Sequence, residues 1–131
     1  MVIDSSALIA VLLDEPLAAA IAAAIARASP RLLSAANLLE ASIVIEGRSG
    51  TPGGRELDLL IYRTGIEIAD VDSDQIEIAR IGWRQFGKGR HPARLNYGDC
   101  FAYALAKSRR LPLLFVGTDF GQTDIEAVRL D

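Results

Sequence analysis

The chain opens Met1-Val2-Ile3-Asp4-Ser5-Ser6-Ala7-Leu8. A short apolar run with β-branched residues ends at an acid, and two hydroxyl residues follow. Such a run bounded by polar residues reads as a buried strand. Ser5 and Ser6 supply cap oxygens for a helix over residues 7–13. Working outward, Pro16 suits the first turn of an Ala-rich helix over 17–27. Ser29-Pro30 breaks that helix, and a weak second strand covers 31–34. A helix over 35–47 ends at Gly47. Thr51-Pro52-Gly53-Gly54 reads as a loop, and a helix over 56–63 stops at Gly65. A third strand spans 66–71, and Asp72 or Ser73 caps a helix running to about residue 85. Residues 87–95 form a long polar loop carrying Lys88, Arg90, His91 and Arg94. Asn96 caps a helix over 97–109, a fourth strand covers 113–116, and 126–130 adds an edge strand. Strands alternating with helices imply an α/β fold with a parallel sheet of four to five strands, covered on both faces.

Composition bounds the rest. At 131 residues, half of them apolar, the chain is the size of one domain, 1–131, with a real core. Its single Cys and single His exclude an internal disulfide and the usual zinc site. No stretch reads as an export signal or a membrane helix, so a cytoplasmic protein is expected. The net charge of −3 excludes a uniformly basic nucleic-acid coat, though not a local basic patch.

Four acids fall where side chains converge in a parallel α/β sheet, whose ligand sites gather at the carboxyl ends of the strands. Asp4 closes the first strand. Glu40 lies in a helix that is apolar almost all round, with no basic neighbour at i±3 or i±4. Asp99 sits in the first turn of its helix among small and apolar residues, and Asp119 follows the fourth strand. Asp124, five residues on, is a weaker candidate of the same kind. Each has a plain alternative: a helix cap, a helix-rim residue, a partner for the helix dipole, a turn. Together they form a set of carboxylates that repel one another unless a hard cation sits between them. Oxygen-only ligation suits Mg²⁺ or Mn²⁺, and such ions activate water for in-line attack on a phosphodiester.

The sequence resembles the PIN-domain ribonucleases, and among them the VapC toxins of bacterial toxin–antitoxin pairs. The stretches that carry the likeness are Met1-Val-Ile-Asp-Ser-Ser-Ala-Leu, Leu39-Glu40-Ala41, Asn96-Tyr-Gly-Asp-Cys-Phe-Ala-Tyr-Ala-Leu-Ala and Leu114-Phe-Val-Gly-Thr-Asp-Phe. The resemblance implies an α/β/α sandwich and a Mg²⁺-dependent endoribonuclease in which Mn²⁺ substitutes. It places the family's catalytic and metal-holding acids on Asp4, Glu40, Asp99 and Asp119. Ser5 or Ser6 and Thr118 match the supporting hydroxyl residues, and Asp124 adds to the rim. Thr118 stands where the family often has Asn, Asp or Glu, which leaves one ion or two open. The resemblance also implies a homodimer and a VapB-like antitoxin that blocks the site.

The charge pattern fits an RNA substrate. From Arg80 to Arg110 there are eight basic residues and one acid, a local net of +7, while the remainder nets −10. Local basic patches govern phosphate binding, so Arg84, Lys88, Arg90 and Arg94 are assigned to the RNA backbone. Trp83 and Phe86 are expected in the core, and His91 is expected to be a loop residue. The helices over 17–26 and 57–62 carry apolar residues beyond what the core needs, suiting a partner helix or a second subunit. The competing function is a non-catalytic RNA-binding or scaffold module of the same fold. A phosphatase of the haloacid-dehalogenase type is excluded, because it needs an Asp where Ser6 stands.

Overall fold

Val2 and Ile3 have no accessible surface, and this follows from where their strand lies. In the computed structural model, which describes residues 1–130, the elements run β1 (Val2–Ile3), α1 (Ser5–Leu12), α2 (Ala18–Arg27), β2 (Leu32–Ser34), α3 (Ala35–Thr64), β3 (Glu67–Ala69), α4 (Ser73–Phe86), α5 (Tyr97–Arg109) and β4 (Leu113–Leu114). The single domain read over 1–131 thus has its last residue, Asp131, outside the described residues. The sheet order is β3-β2-β1-β4 and every pairing is parallel, with Val2 opposite Leu32 and Leu113, and Ile3 opposite Leu114.

Successive strand residues point to opposite faces, and the two cores divide accordingly. Ile3, Leu33 and Leu114 pack with Leu8, Ile21, Ile25, Ile45 and Leu57 of α1, α2 and α3. Val2, Leu32 and Leu113 pack with Ala102, Tyr103, Leu105 and Phe120 on the other face. Helices therefore cover both faces, and the α/β/α sandwich is met. The expected fifth strand shrinks to one parallel bridge between Leu113 and Ala127.

Because β2 and β3 lie on one side of β1 and β4 on the other, the chain reverses its winding direction at β1. A crevice opens outside the carboxyl ends of the strands at such a switch point. Asp4 follows β1 directly and Asp119 lies just beyond β4, so the topology delivers both to this crevice.

Several local expectations are corrected. Gly47 does not end its helix, and 51–54 is not a loop. α3 runs on to a kink at Gly50, whose φ of 64° and ψ of −163° suit glycine, and its second arm starts with Pro52 in the first turn. The arms pack so closely that a Cβ on Gly53 would stand 2.9 Å from the Ile45 carbonyl oxygen. The loop over 87–95 is pinned, with Gly87 bridged to Leu95 and both Ala93 and Leu95 fully buried. The surplus apolar surface is also redistributed. Ile21, Ala24 and Ile25 of α2 and Leu57 of α3 are core, whereas Leu39, Ile43, Leu59 and Tyr62 face water.

α4 meets α5 through Gly82, where a Cβ would stand 2.5 Å from the ring of Tyr103. Tyr103 is buried and its hydroxyl donates to Asp124 at 2.9 Å, so the ring has no room to swing away. Gly82→Ala is expected to destabilise the fold by about 1–3 kcal/mol through overpacking. Urea unfolding should show a lower midpoint with an unchanged slope; an unchanged midpoint would show that the helices separate freely.

Candidate active site

Asp4 leaves β1 in extended conformation and caps α1. Its Oδ2 accepts the Ser6 backbone N–H at 3.1 Å and the Ser6 hydroxyl at 2.6 Å. Asp4 is therefore the cap itself, where Ser5 and Ser6 had been read in that role, and α1 starts at Ser5. The Ser6 hydroxyl also accepts the Val116 N–H at 3.0 Å, tying the end of β1 to the segment after β4. Asp4 Oδ1 is buried and has no hydrogen-bond partner. A buried carboxylate oxygen without a donor is costly unless something else answers its charge.

Glu40 comes from the first arm of α3. Its Oε1 accepts the Ser5 hydroxyl at 2.6 Å and the Asn37 side-chain amide at 3.0 Å. The same Asn37 amide donates to the Gly98 carbonyl at 3.0 Å, which links α3 to the start of α5. Gly98 has no side chain to collide with Glu40: a Cβ there would stand 2.0 Å from Oε2. Glu40 lies partly buried, but its helix is not buried all round, since Leu39 and Ile43 are 62% and 64% exposed.

Asn96 and Asp99 form a capping box at the start of α5. The Asp99 N–H donates to Asn96 Oδ1 at 2.9 Å, and the Asn96 N–H donates to Asp99 Oδ2 at 3.0 Å. The local geometry thus meets the plain cap role, and Asp99 still opens on the crevice. Asp119 precedes a short 3-10 turn at Phe120–Gln122.

All four acids, with Ser5, Ser6 and Asn96, line one cleft of about 230 Å³. Their environment shows in their protonation. Burial pushes Asp4 up to about 6, and the Glu40 charge adds to it against the Ser6 hydrogen bonds. Burial likewise pushes Asp99 up to about 7, helped by the charges of Asp4, Asp119 and Glu40 and opposed by the Asn96 N–H. Among the described residues no three acids stand close enough to grip a bare ion together. A hard divalent cation that keeps part of its water shell needs only one or two carboxylates directly. The all-oxygen donor set and the unpartnered Asp4 oxygen fit such an ion.

Other assigned residues are placed elsewhere. Thr118 is exposed and does not line the cleft. Asp124 lies in a separate hollow, where it accepts from Tyr103 and pairs with Lys107, holding its carboxyl below the usual range. None of Arg84, Lys88, Arg90 and Arg94 lines the acidic cleft. Arg84 lines a neighbouring groove, Arg90 lies over the Trp83 ring, and Lys88 and Arg94 are exposed. Trp83 is 41% exposed and not core, whereas Phe86 packs against His91 and Tyr103 as expected. His91 is a loop residue whose Nδ1 accepts the Ala93 N–H at 3.0 Å. Sequence reasoning passed over Asn37 and Gly98. The visible signal was Asn37 three residues before Glu40, on the same helix face.

Comparisons with known proteins agree with this architecture. Residues 1–126 match the family model described as PIN domain. The chain is 55% identical over 128 residues to Ribonuclease VapC of Mycolicibacterium smegmatis, covering 98% of this chain and 99% of that one. It is 54% identical over 130 residues to Ribonuclease VapC30 of Mycobacterium tuberculosis, covering 99% of each. The crystal structure of Mycobacterium tuberculosis VapC20, a sarcin-ricin loop cleaving toxin, superposes with a TM-score of 0.79 at 17% identity, covering 98% of both chains. That likeness concerns the fold.

The raised carboxyls predict how stability varies with pH. In the unfolded chain Asp4 and Asp99 titrate near 3.8, and folding raises them to about 6 and about 7. Between these limits the folded state binds more protons than the unfolded state, so stability falls as pH rises through the window. Without divalent ions the protein should melt at a lower temperature at pH 8 than at pH 5, and Asp99→Asn should narrow the difference. A melting temperature that rises from pH 5 to pH 8 would contradict this account of the cleft.

Proposed function

The chain belongs to the PIN-domain family and, within it, to the VapC ribonucleases, and on that premise we propose that Asp4, Glu40, Asp99 and Asp119 are its catalytic and metal-holding residues. It is an endoribonuclease toxin, and the cation we assign is Mg²⁺, with Mn²⁺ as a substitute. The observation that carries the site assignment is the convergence of the four acids in one cleft where Asp4 Oδ1 is buried without a donor.

The residues divide the work. Asp4 offers its free oxygen to the ion while its other oxygen holds α1 and Ser6. Asp99 and Asp119 face it from α5 and from the turn after β4. Glu40 is held at Oε1 by Ser5 and Asn37 and its second oxygen packs against Gly98, which fixes the carboxylate beside the other acids. When bound, the ion polarises the phosphate and lowers the pKa of the attacking water. Burial of the cleft strengthens each of these interactions. Ser5, Asn37 and Asn96 orient the acids, and changes in such supporting residues typically cost 10–100-fold in affinity or activity.

Its partners follow from surface and family. RNA is the substrate, and its backbone is assigned to Arg84, Lys88, Arg90 and Arg94. A second copy of the chain and a VapB-like antitoxin are assigned to apolar surface such as Leu39, Ile43 and Tyr62, which face water. Among the described residues no helix is long and apolar enough to cross a membrane, and the toxin acts in the cytoplasm.

Asp4→Asn, Glu40→Gln and Asp99→Asn are each expected to abolish RNA cleavage while leaving the circular dichroism spectrum unchanged. Excess EDTA should stop the wild type; Mg²⁺ or Mn²⁺ should restore it, and Zn²⁺ alone should not. Cleavage by Asp99→Asn at the wild-type rate, or full activity in EDTA, would remove the assignment. For the backbone contacts, each phosphate held on a single strand adds about 0.7 to the slope of log affinity against log salt. Arg90→Ala with Arg94→Ala should flatten that slope by roughly 1.4 in filter binding by a non-cleaving variant. An unchanged slope would put the RNA elsewhere.

A further inference from the structure

A phosphodiester entering the acidic cleft brings charged oxygens to a place made mostly of acceptors. The four acids only accept hydrogen bonds when ionised, and Ile9, Val44, Val116 and Phe120 offer no polar side-chain atom. Among the residues lining the cleft, three side chains can donate: Ser5, Ser6 and Asn96. A hydroxyl has one hydrogen. Ser5 gives its own to Glu40 at 2.6 Å, and Ser6 gives its own to Asp4 at 2.6 Å. Asn96 is different. Its Oδ1 accepts the Asp99 N–H at 2.9 Å. Only an oxygen can take that role, so the cap settles which end of the amide is nitrogen. Nδ2 carries two hydrogens, and neither has a partner among the described residues.

Capping alone does not call for this residue. Asp and Ser cap a helix as well as Asn does, and neither adds an N–H. The bond from Asp99 also holds the amide in place, so Nδ2 has little freedom to lose on meeting a ligand. Asn96 is exposed where it lines the cleft, so a substrate there can reach it.

Resting on the ribonuclease reading of the cleft, we propose that Asn96 is a further catalytic residue, whose Nδ2 donates to a non-bridging oxygen of the scissile phosphate. The two non-bridging oxygens share one negative charge, and leaving either without a partner as water is displaced is costly. Asn96 supplies the partner from the protein. A fixed neutral donor supports charge on that oxygen, and it does so without cancelling the charge of the acids.

The wild type first maps its cleavage linkage on a short single-stranded RNA. The same RNA is then made with a methylphosphonate at that linkage, as two separated isomers, each with one non-bridging oxygen replaced by methyl. Binding is measured with the non-cleaving Glu40→Gln protein. Adding Asn96→Gly should weaken binding of the phosphodiester about 10- to 100-fold, the worth of a hydrogen bond to a charged acceptor. One isomer lacks the oxygen in question and should bind equally with and without that substitution, while the other should keep the loss. In otherwise wild-type protein, Asn96→Gly should lower kcat/KM by a similar factor. Glycine is tolerated at a helix cap, so the melting temperature should stay within about 3 °C. Should that variant fail to fold, Asn96→Ser carries the same expectations: it keeps an oxygen for the Asp99 N–H and ends one atom short of Nδ2. An equal loss on all three linkages would overturn the proposal and leave Asn96 as a support for Asp99. A loss that vanishes when the scissile nucleotide lacks its 2′-hydroxyl would also overturn it, by putting the amide on the sugar. A wild type that cuts no RNA would sink the ribonuclease reading, whereas a cutting wild type matched in rate by Asn96→Gly would sink this assignment alone.

Discussion

Four carboxylates gathered at one end of a parallel sheet repel one another, and the surrounding structure is arranged to hold them together nonetheless. It does so with neutral donors. Ser6 and its backbone N–H hold Asp4, Ser5 and Asn37 hold Glu40, and the Asn96 N–H holds Asp99. Among the described residues no lysine or arginine lines the cleft. A basic side chain there would relieve the repulsion and also abolish the field that attracts a cation. Neutral donors fix positions without cancelling charge, so burial first and the neighbouring acids second still raise the Asp4 and Asp99 carboxyls.

The same donors carry the chain's long-range connections. Ser6 joins α1 to the segment after β4, and Asn37 joins α3 to α5. The central strand is short, and its end is braced by hydrogen bonds from the site itself. The opposite side of α5 is braced differently, by Tyr103 and Lys107 on Asp124. The two faces of this helix thus separate a support in which Lys107 answers Asp124 from a cleft whose acids have no such answer.

Much of the architecture was legible in the sequence because period and punctuation agree. The apolar run before Asp4, the Asn96 cap and the Gly65 stop each mark a boundary, and the structure observes all three. The second arm of α3 was misread because Pro52 and Gly53-Gly54 also signal a loop. Only the close approach of that arm to Ile45 shows why glycines are needed there. Asp4, Asp99 and Asp119 follow from a strand end or a helix start, and Glu40 from the apolar residues around it on one helix, all of them local features. Asn37 and Gly98 escaped because their roles depend on a contact between α3 and α5, separated by 61 residues. Asp124 was misassigned for the converse reason: near Asp119 in sequence, it faces Tyr103 and Lys107 in space. Trp83 was expected in the core on hydrophobicity, yet the fold gives it to the surface.

Gly98 gives the molecule an unusual mutational profile. A methyl group there meets the carboxylate of Glu40 and not backbone. Displacing that carboxylate breaks its hydrogen bonds to Ser5 and Asn37 and touches neither core cluster, so the intrusion disturbs the site before the fold. Every missense change at this codon adds a Cβ. In a lineage burdened by its own toxin, this position offers escape in a single step: a protein that folds and accumulates but no longer cuts. Disarming variants with intact folding should therefore collect at this glycine, which carries no chemistry of its own, as readily as at the acids.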